Sequence, residues 1–554
     1  MNILPSRDTG PRPFSDVTAQ VLATTLAHDP VNATFLGEHR HDGMLPDPSP
    51  AAADLRRAEL DNQLAAVDAA GVSSADDRVD AAILRTALRA ELFELDQIRS
   101  AEWDPMHHNP GNGLYALVSR DFAPLEERLR HLTQRLRAVP AYLAAARERL
   151  GVMSVIHLDT AQAQLDGTLR LLDDTIPEAI AQTRSAGDLR AVIDRARAAV
   201  IAHKEWLANQ RRLADHDPRL GRQRFAAQLA LTLDTVFDPA DLLARAEVDL
   251  TAVTERIVDE AGRLANVARP DTGTVRQVLD ELAGDAPSDI SVLRECRDAL
   301  AGATDFLRSR DLITVFDDPI DVVAMPEIDR GVAVAYCRPA GPLEVTPPPT
   351  ELAVSPTPAG WSVDQVHSFY REYNRHMLHD LVAHEAMPGH ALQLAHSNRH
   401  RGTTPVRAVW WSGSFVEGWA VYGEELMADH GYRSAVSPAA GAALRMQQLK
   451  MQLRMIINAI MDVRYHLGDL DEAQAMALMV GRGFQEDGEA AGKWRRVQLT
   501  ATQLSTYYVG YCEVRDLLRD LREAHPEWTE RRRHDTVLSL GSPPVRHLRA
   551  LLGL

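Results

Sequence analysis

The pattern of hydrophobic and polar positions divides the chain of 554 residues into three regions. In residues 1–310, apolar residues recur every three and four positions among Ala, Arg, Glu and Asp, which predicts a succession of amphipathic helices. Residues 311–360 contain short β-branched runs followed by many prolines, which predicts a small sheet and then an extended, stiff loop. Residues 361–554 return to helical spacing. We therefore predict a mainly α, multi-helical fold in one compact unit: a helical scaffold region, a small β-sheet and a second helical region.

The same pattern predicts where individual elements lie. In the first region, a run of helical spacing ends before Pro140, and we expect this proline to open a new helix, because a first turn tolerates proline. Strands are predicted at residues 313–316, 322–324 and 331–337. Helices of the second helical region are predicted at residues 363–387, 391–398, 414–430, 439–467, 470–479 and 492–521.

Composition and charge narrow the class of protein. With 45% hydrophobic and 25% charged residues, the chain has the composition of an ordinary soluble globular protein. Its formal net charge of −18 argues against general nucleic-acid binding, which needs a basic face. Residues 1–8 lack an apolar export segment, and no apolar run reaches the roughly 18 residues that cross a bilayer. The 3 cysteines are widely spaced and form no Cys-x-x-Cys pair, which is typical of a reducing compartment. We expect a cytoplasmic protein without nucleic-acid or membrane partners, and the oligomeric state is open.

Residues 381–390 carry the first chemical signal, because His384 is followed at once by Glu385 in an apolar helical run. Zinc binds neutral imidazole nitrogen, and an adjacent carboxylate can take a proton from a zinc-bound water. A second histidine, His390, lies six residues after the first, which is roughly 240° around an uninterrupted helix and therefore on another face. Pro388 and Gly389 lie between them and predict a kink or bulge, which would turn the second histidine back toward the metal.

A third metal ligand has to come from another segment, and Glu417 is the best candidate. It belongs to a predicted helix with small residues beside it, which suits packing against the His384 helix. Glu424 lies seven residues later on the same face, where it could hold a ligand histidine through a hydrogen bond. The alternative is that both are ordinary solvated carboxylates of a helix.

Further candidate residues follow toward the C-terminus. Asp462 and His466 are four residues apart and could form one hydrogen-bonded unit that donates to a substrate or an oxyanion, but a cation at a helix C-terminus is an equal alternative. Tyr507 could stabilise an oxyanion as a neutral donor, although such a tyrosine more often packs in a core. Arg496 could bind a substrate carboxylate. Residues 481–484 lack a phosphate-loop pattern and residues 411–415 lack a Gly-x-Ser-x-Gly elbow, which argues against nucleotide binding and serine hydrolysis.

Two complete motifs, His-Glu-Ala-x-Pro-Gly-His at 384–390 and Glu-Gly-Trp-Ala-x-Tyr at 417–422, resemble the bacterial "domain of unknown function 885" family. Further segments at 42–47, 77–80 and 122–129 extend the resemblance over essentially the whole chain. This family is similar to the metallopeptidase clan of thermolysin-like and neurolysin-like enzymes. The resemblance implies a mostly helical fold with a deep cleft. It also implies that His384, His390 and Glu417 are metal ligands and that Glu385 is the base.

The chain departs from the family pattern at two places. The family usually has Asp-x-Gly-x-His where residues 462–466 place Arg464 at the glycine, and Pro-Gly-Gln-Ala-x-Ser-Tyr where residues 501–507 place Thr502 at the glycine. Gln503, Tyr507 and Gly510 match the pattern, and an arginine of the family matches Arg496. The departures therefore bear on the backbone path more than on the side chains.

The sequence as a whole predicts a zinc-dependent hydrolase, a peptidase that cleaves short peptides with one divalent ion. The strand at 332–336 would align the peptide. Alternatives are a metal-dependent hydrolase of a non-peptide amide or ester, and a non-catalytic helical binding protein with a vestigial metal site. The predicted site comprises metal ligands His384, His390 and Glu417, catalytic Glu385, Tyr507 and His466, and supporting or substrate-binding Glu424, Asp462, Arg496 and Gln503.

Overall fold

The computed structural model describes residues 12–183, 186–326, 330 and 334–554, without the side chains of 186–188. Residues 1–8, from which we predict that the chain has no export segment, lie outside the described residues. Residues 331–333 of one predicted strand also lie outside them. The described chain is mainly α with one small sheet, which confirms the predicted fold class. The deep cleft stays a prediction. No described helix is both long and apolar enough to cross a bilayer.

Helices alternate with short connections along most of the chain. The helices in the first part are α1 (Phe14–His28), α2 (Pro30–Leu36), α3 (Pro50–Ala69), α4 (Ala75–Phe93), α5 (Gly111–Ser119), α6 (Leu125–Arg149), α7 (Val155–Arg170), α8 (Ile176–Ala181), α9 (Ala186–Gln210), α10 (Gly221–Thr232), α11 (Pro239–Ala265), α12 (Thr272–Ala283) and α13 (Val292–Arg310). Three strands follow, β1 (Ile320–Ala324), β2 (Ala335–Arg338) and β3 (Thr350–Val354). The remaining helices are α14 (Val363–Glu372), α15 (Arg375–Glu385), α16 (His390–Ser397), α17 (Val406–Val409), α18 (Gly413–Asp429), α19 (Pro438–Leu467), α20 (Glu472–Met476), α21 (Asp487–Leu499), α22 (Thr506–Ala524), α23 (Glu530–Leu538) and α24 (Val545–Leu552).

The predicted helix positions are confirmed in type, but several boundaries differ. The helix predicted at 439–467 is α19, whereas the one predicted at 363–387 is divided into α14 and α15. The one predicted at 492–521 is likewise divided into α21 and α22. Pro140 does not open a new helix, because α6 continues through it from Leu125 to Arg149.

Local sequence explains where the helices of interest begin. The side chain of Asn374 accepts hydrogen bonds from the first backbone amides of α15, and Ser412 does the same for α18. Ser437 caps α19, whose first residue, Pro438, has the φ angle that a first turn needs. These caps satisfy amides that have no partner within the helix.

The sheet is small and mixed. Its strand order is β1-β3-β2, with β1 parallel and β2 antiparallel to β3. The strand predicted at 313–316 is wrong, because the backbone amide and hydroxyl of Thr314 bond to Asp535 and its carbonyl accepts from His396. Those side-chain partners replace the ladder that a strand needs. The strand β3 lies in the stretch predicted as a proline-rich loop.

The chain forms two compact units. Unit 1 comprises Met1–His216, Gly341–Val345 and Arg401–Trp410, and unit 2 comprises Asp217–Ala340, Thr346–His400 and Trp411–Leu554. Leucines of α5, α6, α7 and α9 fill the main core of unit 1. In unit 2 the core joins α13, α15, α18 and α22, where Ala383, Phe415, Trp419 and Val514 are buried. The division into regions 1–310, 311–360 and 361–554 stays a prediction.

Candidate metal centre

The helix that carries the first histidine ends as the proline and glycine predict. Helix α15 ends at Glu385, and α16 begins at His390. Between them the amide of Gly389 donates to the carbonyl of Ala383 at 2.9 Å. A Cβ atom on Gly389 would overlap the carbonyl oxygen of His384, so this close approach requires glycine. The predicted break between the two histidines is confirmed.

The break brings three potential ligands together. One ligand atom from each of His384, His390 and Glu417 lies within 4.8 Å of the others, so this group could hold a metal ion. The Glu417 Oε2 atom is 3.4 Å from Nε2 of His384 and 3.5 Å from Nε2 of His390. Ligand atoms around a tetrahedral zinc, each bonded at 2.0–2.1 Å, are separated by about 3.3 Å. The donor types and their spacing therefore fit a zinc ion.

The surroundings of the Glu417 carboxylate favour binding of a cation. Its Oε2 atom is buried and makes no hydrogen bond of good geometry with a described residue. Burial alone would raise the pKa of Glu417, but the two nearby histidines lower it well below the usual range. A buried oxygen of this kind is costly unless a cation pairs with it, which is a second indication of a metal ion.

Glu424 lies against the first histidine. Its Oε1 atom lies 2.6 Å from Nδ1 of His384, which leaves Nε2 facing Glu417. A carboxylate on the second ring nitrogen orients a metal-binding histidine and raises its basicity. Asp380 is a further buried carboxylate near Glu424 and His384, and it is not among the residues predicted from the sequence. The sequence spacing could have indicated this residue, because Asp380 precedes His384 by four positions and therefore shares a helix face with it.

Glu385 is positioned by the sheet. The backbone amide of Cys337 in β2 donates to Glu385 Oε2 at 2.9 Å. Burial raises the pKa of the Glu385 carboxyl, opposed by the charges of His390 and His384. A base with a raised pKa can hold a proton between two transfer steps. No sequence signal indicated the Cys337 contact, since the two residues are 48 positions apart.

Tyr507, Arg496 and Gln503 lie together beside this group. The Arg496 Nε atom donates to Gln503 Oε1 at 2.8 Å, and its guanidinium also bonds to the phenol of Tyr507. Burial raises the pKa of Tyr507, and the negative charge of Glu417 raises it further. The phenol is therefore a neutral donor close to the metal ligands.

Asp462 and His466 lie under the loop that leads to Tyr507. Asp462 accepts hydrogen bonds from the amides of Thr502 and Ser505 and from the Ser505 hydroxyl, at 3.2, 2.9 and 2.7 Å. The Nε2 atom of His466 is 2.9 Å from the Thr500 carbonyl.

The other ring nitrogen of His466, Nδ1, is 3.4 Å from the amide of Leu220, and the ring stacks on Phe225. Both nitrogens therefore contact backbone groups. This arrangement favours a positioning role for His466 over its predicted role as an oxyanion donor.

Comparison with known proteins agrees with the motifs. A family model described as "Bacterial protein of unknown function (DUF885)" matches residues 30–552. The chain belongs to this family. None of the curated proteins matches it.

Two solved structures are similar to this DUF885 protein over almost its whole length. One, described as a candidate lipoprotein of unknown function from Shewanella oneidensis, has 27% identity and a TM-score of 0.83, covering 98% of this chain and 100% of that chain. The other, described as a candidate lipoprotein from Colwellia psychrerythraea, has 14% identity and a TM-score of 0.80, covering 98% of each chain. At that identity the second likeness concerns the fold alone.

The second motif of the DUF885 protein, residues 417–422, joins the site to its scaffold. Gly418 lies against Gly510 of α22, and a Cβ atom on either residue would overlap the backbone of the opposite helix. Trp419 donates from Nε1 to the carbonyl of Pro388 at 2.9 Å, which anchors the break before His390. The motif therefore places one ligand, brings α22 with Tyr507 beside it, and holds the segment between the histidines.

The loop before Tyr507 shows why the family pattern has a glycine there. Thr502, at that position, has φ = 64°, in the left-handed region that β-branched residues rarely adopt. The amide of Thr502 is also the one that bonds to Asp462. The loop keeps the path that glycine would adopt, with strain at the threonine.

Proposed function

We propose that this DUF885 protein is a zinc-dependent hydrolase, a peptidase that cleaves short peptides. The observation that carries the proposal is the convergence of His384, His390 and Glu417, with Glu385 next to them. Two histidines, a glutamate and a neighbouring carboxylate form a known set for catalytic zinc. The resemblance of the motifs to the thermolysin-like and neurolysin-like clan supports the same reaction.

The chain would supply both the base and the acid of the reaction. A bound zinc ion polarises a carbonyl and makes water acidic enough to react near neutral pH. Glu385 takes the proton of the attacking water and passes it to the leaving amine. The hydrogen bond from Cys337 holds its carboxylate in place, and its raised pKa lets it keep the proton between the two transfers.

Tyr507 is the proposed oxyanion donor. Its phenol is neutral and lies close to Glu417 and His384. A neutral donor can stabilise the negative oxygen that develops when water adds to a carbonyl. Arg496, which itself donates to Gln503, holds this tyrosine in position.

The edge of β2 is the proposed aligning element for a peptide. Strand β2 lies at one end of the described sheet, and its Cys337 amide points away from β3, toward Glu385. In an antiparallel ladder the amide and carbonyl of one residue point the same way. The Cys337 carbonyl therefore faces the same side, where an extended peptide could add as a strand.

Metal analysis together with peptide hydrolysis tests the proposal. Protein purified without chelator should contain one zinc per chain and cleave members of a short-peptide library. The variant Glu385→Gln should bind zinc equally and lose at least about 100-fold in turnover. Equal turnover by this variant would end the proposed mechanism.

Other outcomes separate the alternatives. Zinc binding with turnover only of non-peptide amides or esters would keep the chemistry and change the substrate. A chain that stays metal-free in the presence of zinc would indicate a binding protein with a vestigial site.

The compartment is a separate question. The cytoplasmic location stays a prediction from cysteine usage and the N-terminal residues. The description of the similar structure from Shewanella oneidensis as a candidate lipoprotein favours an extracytoplasmic location for this chain instead. Cell fractionation of the native protein decides between the two.

A further inference from the structure

A cluster of buried and half-buried charges joins helices α19, α21 and α14. On α21, Glu489, Lys493 and Arg496 follow one another at helical spacing and share a face. The charged side chains of this cluster are Glu372, Lys450, Arg454, Glu489, Lys493 and Arg496. Four of the six are cations and two are anions, in a chain whose overall charge is negative.

The two anions are already paired. Glu372 Oε2 accepts from Lys450 Nζ at 2.8 Å, and both side chains are buried. Glu489 forms an ion pair with Arg454. The cluster therefore leaves two cations incompletely paired. Lys493 shares Glu489, 3.9 Å away, with Arg454, and Arg496 has no carboxylate within ion-pair distance among the described residues.

Lys493 is the more exceptional of these two. The residue is only 7% exposed, and its nearest carboxylate oxygen, Glu489 Oε1, is 3.9 Å away. No described group forms a hydrogen bond to its Nζ atom. Burial and the charge of Arg454 lower the pKa of Lys493 to about 7. A buried ammonium is costly when its carboxylate partner is distant and shared with another cation, here Arg454, so the site is suited to an anion.

Arg496 connects Lys493 to the metal centre. Its partners are neutral, Gln503 and the phenol of Tyr507. In the described part of the chain no carboxylate lies within ion-pair distance of its guanidinium. Because an arginine has five N–H donors, several remain for a planar anion such as a carboxylate.

The use of lysine in this chain supports a special role. Only 3 of the 60 basic residues are lysines, and two of them, Lys450 and Lys493, belong to this cluster. The third, Lys204, forms a partly exposed ion pair with Asp166. Where nearly all cations are arginines, a buried lysine indicates a need for a compact point charge with rotatable donors.

We propose that Lys493 and Arg496 form a subsite that binds the C-terminal carboxylate of a short peptide. The inference rests on the proposed function and specifies its substrate. The scissile bond of the peptide lies near its C-terminus, with the scissile carbonyl at the metal ligands and the terminal carboxylate in this subsite. Arg496 binds the carboxylate through parallel N–H donors, and Lys493 supplies the point charge. Tyr507 links the two ends of the site, because it contacts Arg496 and lies beside Glu417.

Binding measurements test the subsite separately from turnover. The probes are N-acetyl-trialanine with a free carboxylate, the same peptide as its amide, and an N-acetyl-Ala-Glu-Ala amide. Calorimetry uses the full chain with zinc and the Glu385→Gln substitution, so that cleavage during the titration is slowed by at least about 100-fold. The free acid should bind about 10- to 100-fold more tightly than the plain amide, as one charge-assisted hydrogen bond predicts.

Variants in that background assign the preference to residues. Adding Lys493→Met should remove the preference for the acid while binding of the amide stays unchanged. The matched control Lys204→Met should retain it, since that lysine lies in unit 1 and pairs with Asp166. Unchanged amide binding also shows that each variant is folded.

Three results would overturn the inference. Acid and amide could bind equally, Lys493→Met could retain the full preference, or the glutamate-containing amide could bind as tightly as the acid. The last result would assign the subsite to an acidic side chain. The proposed function fails differently. If the Glu385→Gln chain prefers the acid but the native chain hydrolyses no peptide, the peptidase function is wrong and the carboxylate subsite still stands.

Discussion

At the residue scale, Asp462 determines where Tyr507 can lie. The carboxylate is fully buried and accepts three hydrogen bonds from the loop just before α22. The substitution Asp462→Asn replaces one acceptor oxygen by a donor that faces an N–H or O–H group. Because hydrogen bonds to a charged group contribute about 1.5–3 kcal/mol, we expect a loss of that size in the free energy of unfolding. Tyr507 should also shift, so kcat should fall while zinc content stays at one per chain.

A matched control for this prediction lies at the end of the same helix. Asp469 is largely exposed, and its carboxylate is 3.7 Å from Arg464. Asp469→Asn should change the free energy of unfolding by less than about 1 kcal/mol, as for other exposed pairs. If Asp462→Asn unfolds at the same denaturant concentration as this control and as the native chain, the loop does not depend on the carboxylate.

Lys493 gives the stability of the protein a distinct pH dependence. Its pKa in the folded chain is about 7, below the ordinary 10.5, because of burial and the charge of Arg454, with Glu489 opposing and Arg496 adding to the effect. Between these two values the unfolded chain binds one more proton than the folded chain, so stability from this group rises with pH there. Below pH 7 the full cost of the buried charge applies.

The variant Lys493→Met removes this dependence. The difference in free energy of unfolding, native minus variant, should rise by up to about 1.4 kcal/mol per pH unit above neutrality. Denaturant titrations at several pH values measure it. The curves of Lys204→Met should run parallel to those of the native chain. A constant native-minus-Lys493→Met difference would mean that the lysine is not buried as a neutral group.

The local sequence was sufficient to predict the arrangement of site residues that share a helix or a motif. The positions of His384 and His390, the break at Pro388 and Gly389, and the support from Glu424 all follow from spacing and proline chemistry. Two other features do not follow from spacing: the hydrogen bond from the Cys337 amide to Glu385, and the burial of Lys493. They depend on contacts between distant segments, which leave no periodic pattern in either segment.

At the element scale, the crossing of α18 and α22 brings Glu417 close to Tyr507. A Cβ atom on Gly510 would overlap the carbonyl oxygen of Ser414, so Gly510→Ala must separate the two helices. Overpacking of this kind costs about 1–3 kcal/mol. We therefore expect lower thermal stability together with weaker zinc binding, because the helix of Glu417 moves away from the two histidines.

The control for this crossing is a glycine with space around it. Gly492 lies in α21, and a Cβ atom there would meet nothing within 4 Å. Gly492→Ala should stabilise the chain by about 0.5–1 kcal/mol, since alanine restricts the unfolded chain and favours the helix. Thermal unfolding and zinc titration of both variants test the pair. Normal zinc affinity in Gly510→Ala would show that the crossing does not position Glu417.

The divided helices show the limit of reading elements from spacing. Residues 492–521 have continuous helical spacing, yet the structure ends one helix at Leu499 and begins the next at Thr506. Asp462 bonds to the amides of the intervening loop from a position 40 residues earlier in the chain, so the loop depends on a distant partner. Likewise β3 forms in a stretch that reads as a proline-rich loop, because β1 and β2 both pair with it.

At the scale of the whole molecule, the metal ligands belong to one unit. Helices α15, α16 and α18 all lie in unit 2, although residues 401–410 between α16 and α18 belong to unit 1. The sequence predicted three consecutive regions, because composition changes once near residue 311 and again near 360. Composition carries no information on which segments cluster together after folding.

Zinc should therefore stabilise the chain through unit 2. A ligand that binds only the folded state adds RT ln(1 + [L]/Kd), which is about 2.7 kcal/mol at a free concentration 100-fold above Kd. Thermal unfolding of metal-free protein should shift upward with added zinc, and hydrogen exchange should slow in α15, α16 and α18 but not in α6 or α9. The isosteric variant Glu417→Gln, which keeps the shape and loses the charge, should show neither effect. Equal stabilisation of that variant, or protection that appears mainly in unit 1, would place the zinc somewhere other than His384, His390 and Glu417.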